Sequence, residues 1–145
     1  MKALIQRVKR ASVTIDGELY SKIGAGMLVL LGVEKGDGKE NADKLVQKLV
    51  NLRIYEDENG KMNRSLVDMK GEMLIVSQFT LCGDCKKGTR PSFDKSAPPE
   101  IANELYEYFI SQVKALNIPC ATGKFAAMMD VELINDGPVT FMIEK

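Results

Sequence analysis

The run Met27-Leu28-Val29-Leu30-Leu31-Gly32-Val33 decides the fold, because its apolar residues fall on both faces of an extended chain. Such a strand is covered on two sides and belongs at the centre of a sheet. Upstream, Ala3, Ile5, Val8, Ala11, Val13 and Ile15 stand among polar neighbours, and Asp16-Gly17 precedes Glu18-Leu19-Tyr20. That pattern predicts a strand and hairpin. Downstream, Ala42, Leu45, Val46, Leu49 and Val50 recur at helical spacing with Lys44, Lys48 and Asn51 opposite, which predicts an amphipathic helix from Asn41 to Arg53.

Strand character returns from Glu72 to Leu81, with Leu74, Val76, Gln78 and Thr80 expected on one face. A loop rich in Gly, Lys, Ser and Pro follows from Cys82 to Pro99, long enough to suggest function. Pro98-Pro99 and Glu100 suit the start of a second helix, whose expected buried stripe is Ile101, Leu105, Phe109, Val113 and Leu116, and Pro119 ends it. Residues Phe125 to Ile134 and Val139 to Glu144 read as a closing pair of strands. Asn135-Asp136-Gly137 supplies a turn between them, and Pro138 stands where a hairpin would resume pairing. The expected class is α+β, mainly β with two main helices, and the 145 residues with 45% hydrophobic composition suit one core and one domain, 1–145.

Composition also excludes. Twenty basic and twenty acidic residues cancel, so no global field exists to hold a long polyanion. Polar residues interrupt the apolar ones in Met1 to Val8, leaving no signal-peptide core and no membrane span, and a cytoplasmic protein is expected. Three cysteines suit a reducing compartment, where Asn63-Arg64-Ser65 has no meaning as a glycosylation sequon. Histidine is absent, which removes the usual Ser-His and Cys-His activation and the commonest metal ligand together.

Several local patterns carry little. Cys82-Gly83-Asp84-Cys85 has C-x-x-C spacing but no second pair, so two incidental loop cysteines outweigh a redox or metal site. Gly36 to Glu40 lacks the glycine spacing of a phosphate loop, and Asp57-Glu58-Asn59-Gly60 lacks the alternating ligands of a calcium loop. No metal and no cofactor is expected. Lys86, Lys87 and Arg90 form a cationic patch able to meet one or two phosphates, although by itself such a patch is more often a solvated surface. Ser77, Gln78 and Thr80 are polar groups on an apolar strand, where cross-strand hydrogen bonding is the ordinary role.

Together, Ser77-Gln78-Phe79-Thr80-Leu81, Lys87-Gly88-Thr89-Arg90-Pro91-Ser92-Phe93 and Asn135-Asp136-Gly137-Pro138-Val139-Thr140 resemble the motif set of D-aminoacyl-tRNA deacylases. Met1 to Val8, Gly26 to Gly36, Leu52 to Tyr55 and Gly60 to Asn63 extend the resemblance to essentially the whole chain. It implies a homodimer of barrel-like β subunits, with active sites at the subunit interface, that cleaves the ester joining a D-amino acid, or mischarged glycine, to the 3′-terminal adenosine of tRNA. In similar proteins the Gly-Pro bond is cis and enters the partner's active site. By that likeness Gly137 and Pro138 present carbonyls that hold the substrate ammonium and exclude an L side chain.

The resemblance further implies that Phe79 frames the adenosine, that Arg7 supports the Gly-Pro segment, and that Ser77, Gln78 and Thr80 position substrate or act on it. Lys86, Lys87 and Arg90 would then touch the tRNA end. An aminoacyl ester is already activated, so its neighbouring 2′-hydroxyl, main-chain N–H groups near Phe79 and Thr80, and water suffice without histidine. Cys82 and Cys85 fall outside the family motifs. Two alternatives stand beside this reading: a module that binds a tRNA end or a D-amino acid without turnover, and a thiol redox protein built on Cys82 and Cys85.

Overall fold

The computed structural model describes residues 1–145. Eight strands and three helices follow in the order β1 (Lys2–Ile15), β2 (Glu18–Ile23), β3 (Gly26–Gly32), α1 (Lys39–Asn51), β4 (Tyr55–Glu56), β5 (Met62–Arg64), α2 (Leu66–Met69), β6 (Glu72–Ser77), α3 (Pro99–Ala115), β7 (Cys120–Thr122) and β8 (Asp130–Glu144). β1 is the organising strand. One of its edges is shared, β3 pairing antiparallel with Lys2 to Val8 and β2 with Ala11 to Ile15, while β8 runs antiparallel along the other edge from Lys2 to Thr14. β6 lies parallel to β3, and β7 parallel to β6. The Ser21 hydroxyl of β2 donates to the Thr122 carbonyl of β7 at 2.7 Å, so the sheet curls until β2 meets β7, and the outer edge of β8 stays unpaired. The expected barrel-like, mixed α+β architecture with two main helices is the one found, α2 being a single short turn.

The two-faced run behaves as its pattern dictates. Met27, Val29 and Leu31 face outward into a large core with Leu45 and Leu49 of α1 and Tyr106, Phe109 and Val113 of α3. Leu28 points the other way and fills the barrel with Val8, Val13, Ile23, Leu74 and Val76. Interior layers of this kind make a small barrel a packed core, with each buried aliphatic side chain worth about 1.5–3 kcal/mol. Tyr106 adds a polar anchor, its hydroxyl donating to the Ile75 carbonyl at 2.8 Å.

Three expectations are corrected. α1 starts and ends two residues earlier than expected, because the Asn41 side chain accepts from the Gly38 N–H and fixes the helix start there. On α3 the buried stripe is Ala102, Leu105, Tyr106, Phe109, Ile110 and Val113, whereas Ile101 and Leu116 are exposed. The first of those lies on the solvent side of the opening turn and the second is past the last one. The closing pair of strands is one strand, β8, because the chain bulges at Asp136 to Val139 and continues in the same direction. Gln6 pairs with Thr140 and Val8 with Asn135, so four residues of β8 stand opposite Arg7 alone. Pro138 offers no N–H to the ladder, and the segment is extruded from the sheet.

No helix is long and apolar enough to cross a membrane. β8 pairs on one edge only, and it exposes Ile134, Phe141 and Met142.

Candidate active site

The bulge is held from beneath by Arg7. That residue is 5% exposed, and its Nε donates to the Asp136 carbonyl at 2.9 Å while Nη1 donates to the Ile54 carbonyl at 2.7 Å. Carboxylates of Asp136 and Glu56 lie 3.5 and 3.8 Å away and offset its charge. A guanidinium is the one side chain whose fixed fork can satisfy two separated carbonyls and remain ionised when buried. Gly137 has φ +126°, and a Cβ there would sit 2.9 Å from Val139 Cγ2 and 3.1 Å from Arg7 Nη2. Only glycine fits that backbone and that spacing. The Gly137–Pro138 peptide bond is cis, as the likeness implied.

Sequence reading gave Tyr55 no role, yet the structure sets it beside the clamp. Its hydroxyl is buried without a hydrogen-bond partner. Burial pushes its pKa up, against the opposing pull of the Arg7 charge, and Asp136 pushes the same way as burial. Tyr55 closes the Leu52 to Tyr55 segment of the resemblance, but the contact that brings it to the clamp runs through the Ile54 carbonyl, which no side-chain pattern reveals.

The Ser77 to Leu81 segment departs from the expected strand. β6 ends at Ser77, the Gln78 N–H makes a final sheet bond to Leu31 O at 2.8 Å, and Phe79 to Cys82 form a 3-10 turn. Gly32, which interrupts the two-faced run, makes the room: a Cβ there would meet Cys82 Sγ and Leu81 Cβ at 3.1 Å and Gln78 O at 3.2 Å. The first amides of a helical turn have no partner within it. Main-chain bonding of this turn starts with Leu81 N–H to Gln78 O, which leaves the Phe79 and Thr80 amides as open donors. Gln78 Nε2 donates to Thr80 Oγ1, and Phe79 is more than half exposed. Such a turn can hold an oxyanion.

A third part is the loop after Cys82. Asp84 and Ser92 exchange main-chain bonds of 2.7 and 3.0 Å, and the Ala97 N–H donates to Val33 O at 3.0 Å, so the loop is tied at both ends. Lys86, Lys87, Arg90 and Lys95 line a cleft of about 340 Å³ with Asp84 and Asp94. The three cations read from sequence are therefore brought together with a fourth. Cys82 is buried, its thiol pushed up by burial, with Sγ donating to Val33 O at 3.5 Å, while Cys85 is exposed. No group of three or more His, Cys, Asp or Glu side chains could hold a metal ion.

Turn and bulge do not meet within one chain. Ser77 is level with Leu31 and hence with Ala3, four residues along β1 from Arg7. That is about 13 Å along the strand, with three strand spacings, about 14 Å, separating β6 from β8 across the sheet.

The architecture defines a barrel-like α+β protein of the class seen in a solved chain described as a probable eukaryotic D-amino acid tRNA deacylase. That chain superposes with TM-score 0.82 at 17% identity, covering 99% of this chain and 98% of the other. A family model described as D-Tyr-tRNA(Tyr) deacylase matches residues 4–144, and the chain belongs to that family. Relatives named D-aminoacyl-tRNA deacylase include one from Geotalea daltonii, 61% identical over 99% of this chain and 96% of the relative. Another, from Thermosipho africanus, is 57% identical over 100% and 97%. A solved chain described as c-Myc DNA Unwinding Element Binding Protein superposes with TM-score 0.94 at 44% identity, covering 100% of this chain and 99% of the other.

Proposed function

We propose that the chain is a D-aminoacyl-tRNA deacylase, hydrolysing the ester between a D-amino acid, or mischarged glycine, and the terminal adenosine of tRNA in the cytoplasm. Membership of the deacylase family supports the reaction class. Water adds to the ester carbonyl, the Phe79 and Thr80 amides donate to the developing oxyanion, and the ribose 3′-hydroxyl leaves. The 2′-hydroxyl of the substrate carries the proton that a histidine would otherwise move. Ser77, Gln78 and Thr80 position the ester, and Phe79 frames the adenosine. Lys86, Lys87 and Arg90 contact phosphate.

The carrying observation for selectivity is the Arg7-held bulge, rigid main chain displayed away from its own subunit's turn. The Gly137-Pro138 segment of one subunit acts as the filter in the other subunit's site. Its carbonyls receive the substrate ammonium, and an L side chain would collide with it. A filter that works by shape passes glycine, which has no side chain to reject. The free edge and exposed apolar residues of β8 support a homodimer.

Release of D-tyrosine, L-tyrosine and glycine from charged tRNA under multiple turnover tests this reading. D-tyrosine and glycine are released and L-tyrosine is retained. Equal cleavage of both tyrosine isomers refutes the filter, and binding without ester loss leaves the binding-module alternative. A substrate lacking the 2′-hydroxyl yet hydrolysed at full rate refutes substrate assistance.

A further inference from the structure

The Tyr55 hydroxyl is a buried polar group that the clamp leaves unused. Ile54 offers its carbonyl to Arg7 Nη1 at 2.7 Å, Glu56 sets a carboxylate 3.8 Å from Nη2, and Tyr55 between them is 7% exposed. Its ring belongs to the large core, where phenylalanine would fill the same space. The hydroxyl adds nothing to that packing. It is cut off from solvent without a hydrogen-bond partner, an arrangement that costs stability and calls for a reason.

Across the clamp stands the complementary deficiency. Arg7 Nε has one hydrogen and gives it to the Asp136 carbonyl at 2.9 Å, while the carboxylate of the same residue lies 3.5 Å away with its side chain 43% exposed. No hydrogen bond within the subunit reaches that carboxylate, so solvent serves it. Burial raises the Tyr55 pKa, the Arg7 charge opposes that rise and the nearby Asp136 charge adds to it, so the phenol is a protonated donor.

We propose that Tyr55 is a positioning residue of the filter, its hydroxyl donating to the Asp136 carboxylate once the bulge is seated in a second copy of this chain. The inference rests on the cross-subunit reading above and deepens it. Asp136 immediately precedes Gly137 in the bulge, so seating withdraws its carboxylate from solvent. A carboxylate losing water needs a donor, and Tyr55 holds a neighbouring one that nothing else uses. With Arg7 on its carbonyl and Tyr55 on its carboxylate, Asp136 is held at two points. That grip restrains rotation of the Gly137–Pro138 segment that follows, and the filter's carbonyls keep one direction.

The test compares wild type, Tyr55→Phe, Asp136→Ala and the double variant by sedimentation over a dilution series and by kcat/KM for D-tyrosyl and L-tyrosyl esters of tRNA. A hydrogen bond to a charged group is worth about tenfold in an equilibrium. Two-fold symmetry places two in a dimer, so Tyr55→Phe raises the dimer dissociation constant about a hundredfold. The D-over-L ratio falls about tenfold as L-ester cleavage rises. In the Asp136→Ala background the same replacement changes neither quantity, because the acceptor is gone. A Tyr55→Phe protein that matches or exceeds wild type in dimer affinity and isomer ratio overturns the proposal, since phenylalanine relieves a hydroxyl that has no partner in either state. Losses of one size with and without Asp136 overturn it too. A wild type that stays monomeric overturns this inference and the cross-subunit filter together. Dimer affinities that follow these expectations, in a wild type that cleaves both isomers alike, overturn the filter and leave the Tyr55–Asp136 bond standing.

Discussion

Replacing Arg7 with lysine separates the clamp's geometry from its charge. Arginine satisfies the Asp136 and Ile54 carbonyls at once, at 2.9 and 2.7 Å. A lysine ammonium is a single point that reaches one of them, so one buried carbonyl loses its partner while the positive charge beside Asp136 and Glu56 persists. A hydrogen bond to a charged group contributes about 1.5–3 kcal/mol, and with about 2 kcal/mol lost the melting temperature of a chain of this length falls by about 4–8 °C. The released bulge also discriminates less. If the same 2 kcal/mol held the filter in place, the ratio of kcat/KM for D-tyrosyl over L-tyrosyl ester falls about thirtyfold. Thermal melts and deacylation of both isomers by one protein preparation report the two effects together. A lower melting temperature with an unchanged isomer ratio would show that the clamp serves the fold alone, and no change in either would refute the two-carbonyl account.

Gly137→Ala forces a Cβ into 2.9–3.1 Å contacts at φ +126°, so the variant loses about 1–3 kcal/mol of stability and most D-ester activity, read by melting and deacylation. Asp68 accepts from the Ser65 N–H at 2.8 Å and hydroxyl at 2.9 Å, bonds that hold its carboxyl below the 3.8 of an ordinary aspartate. A lowered folded pKa means stability that is present above 3.8 and lost as pH falls through the folded value, so wild type out-melts Asp68→Asn at neutral pH and the gap closes in acid. Ser65→Ala, which removes the cap of α2, costs about 1 kcal/mol, checked by denaturant titration. An aromatic disulfide reagent titrates exposed Cys85 at once and buried Cys82 only on unfolding, while Cys85→Ser retains deacylation; loss of activity in that variant would restore the thiol alternative.

The central strand was legible because burial on two faces leaves a pattern that no amphipathic element shares, and both cores in the structure are built on it. Helical spacing likewise revealed α1 and α3. Two errors have one cause. Phe79, Thr80 and Leu81 have good strand propensity, yet Gly32 on the adjacent strand gives them room to close into a turn, and propensity yields to that contact. Asn-Asp-Gly is a strong reversal signal, yet β1 pairs with β8 on both sides of it, and the long ladder keeps the chain straight past a bulge. The first three cations of the loop could be read from their spacing, and Lys95, a few residues on in the same loop, went unread beside them; Phe93 and Tyr55 lay inside quoted motifs, but their contacts with Phe79 and with the Arg7 clamp carry no side-chain pattern.

The partners in the Arg7 clamp lie 129 residues apart. A ribosome adding about 5–20 residues per second makes the first of them on the order of ten seconds before the second. Throughout that interval β1 has a bare edge where β8 will later lie, and the guanidinium has no carbonyl at Asp136 to grip. Maturation of the bulge is therefore among the last events of biosynthesis, and a truncated nascent chain, however well its barrel has condensed, lacks it.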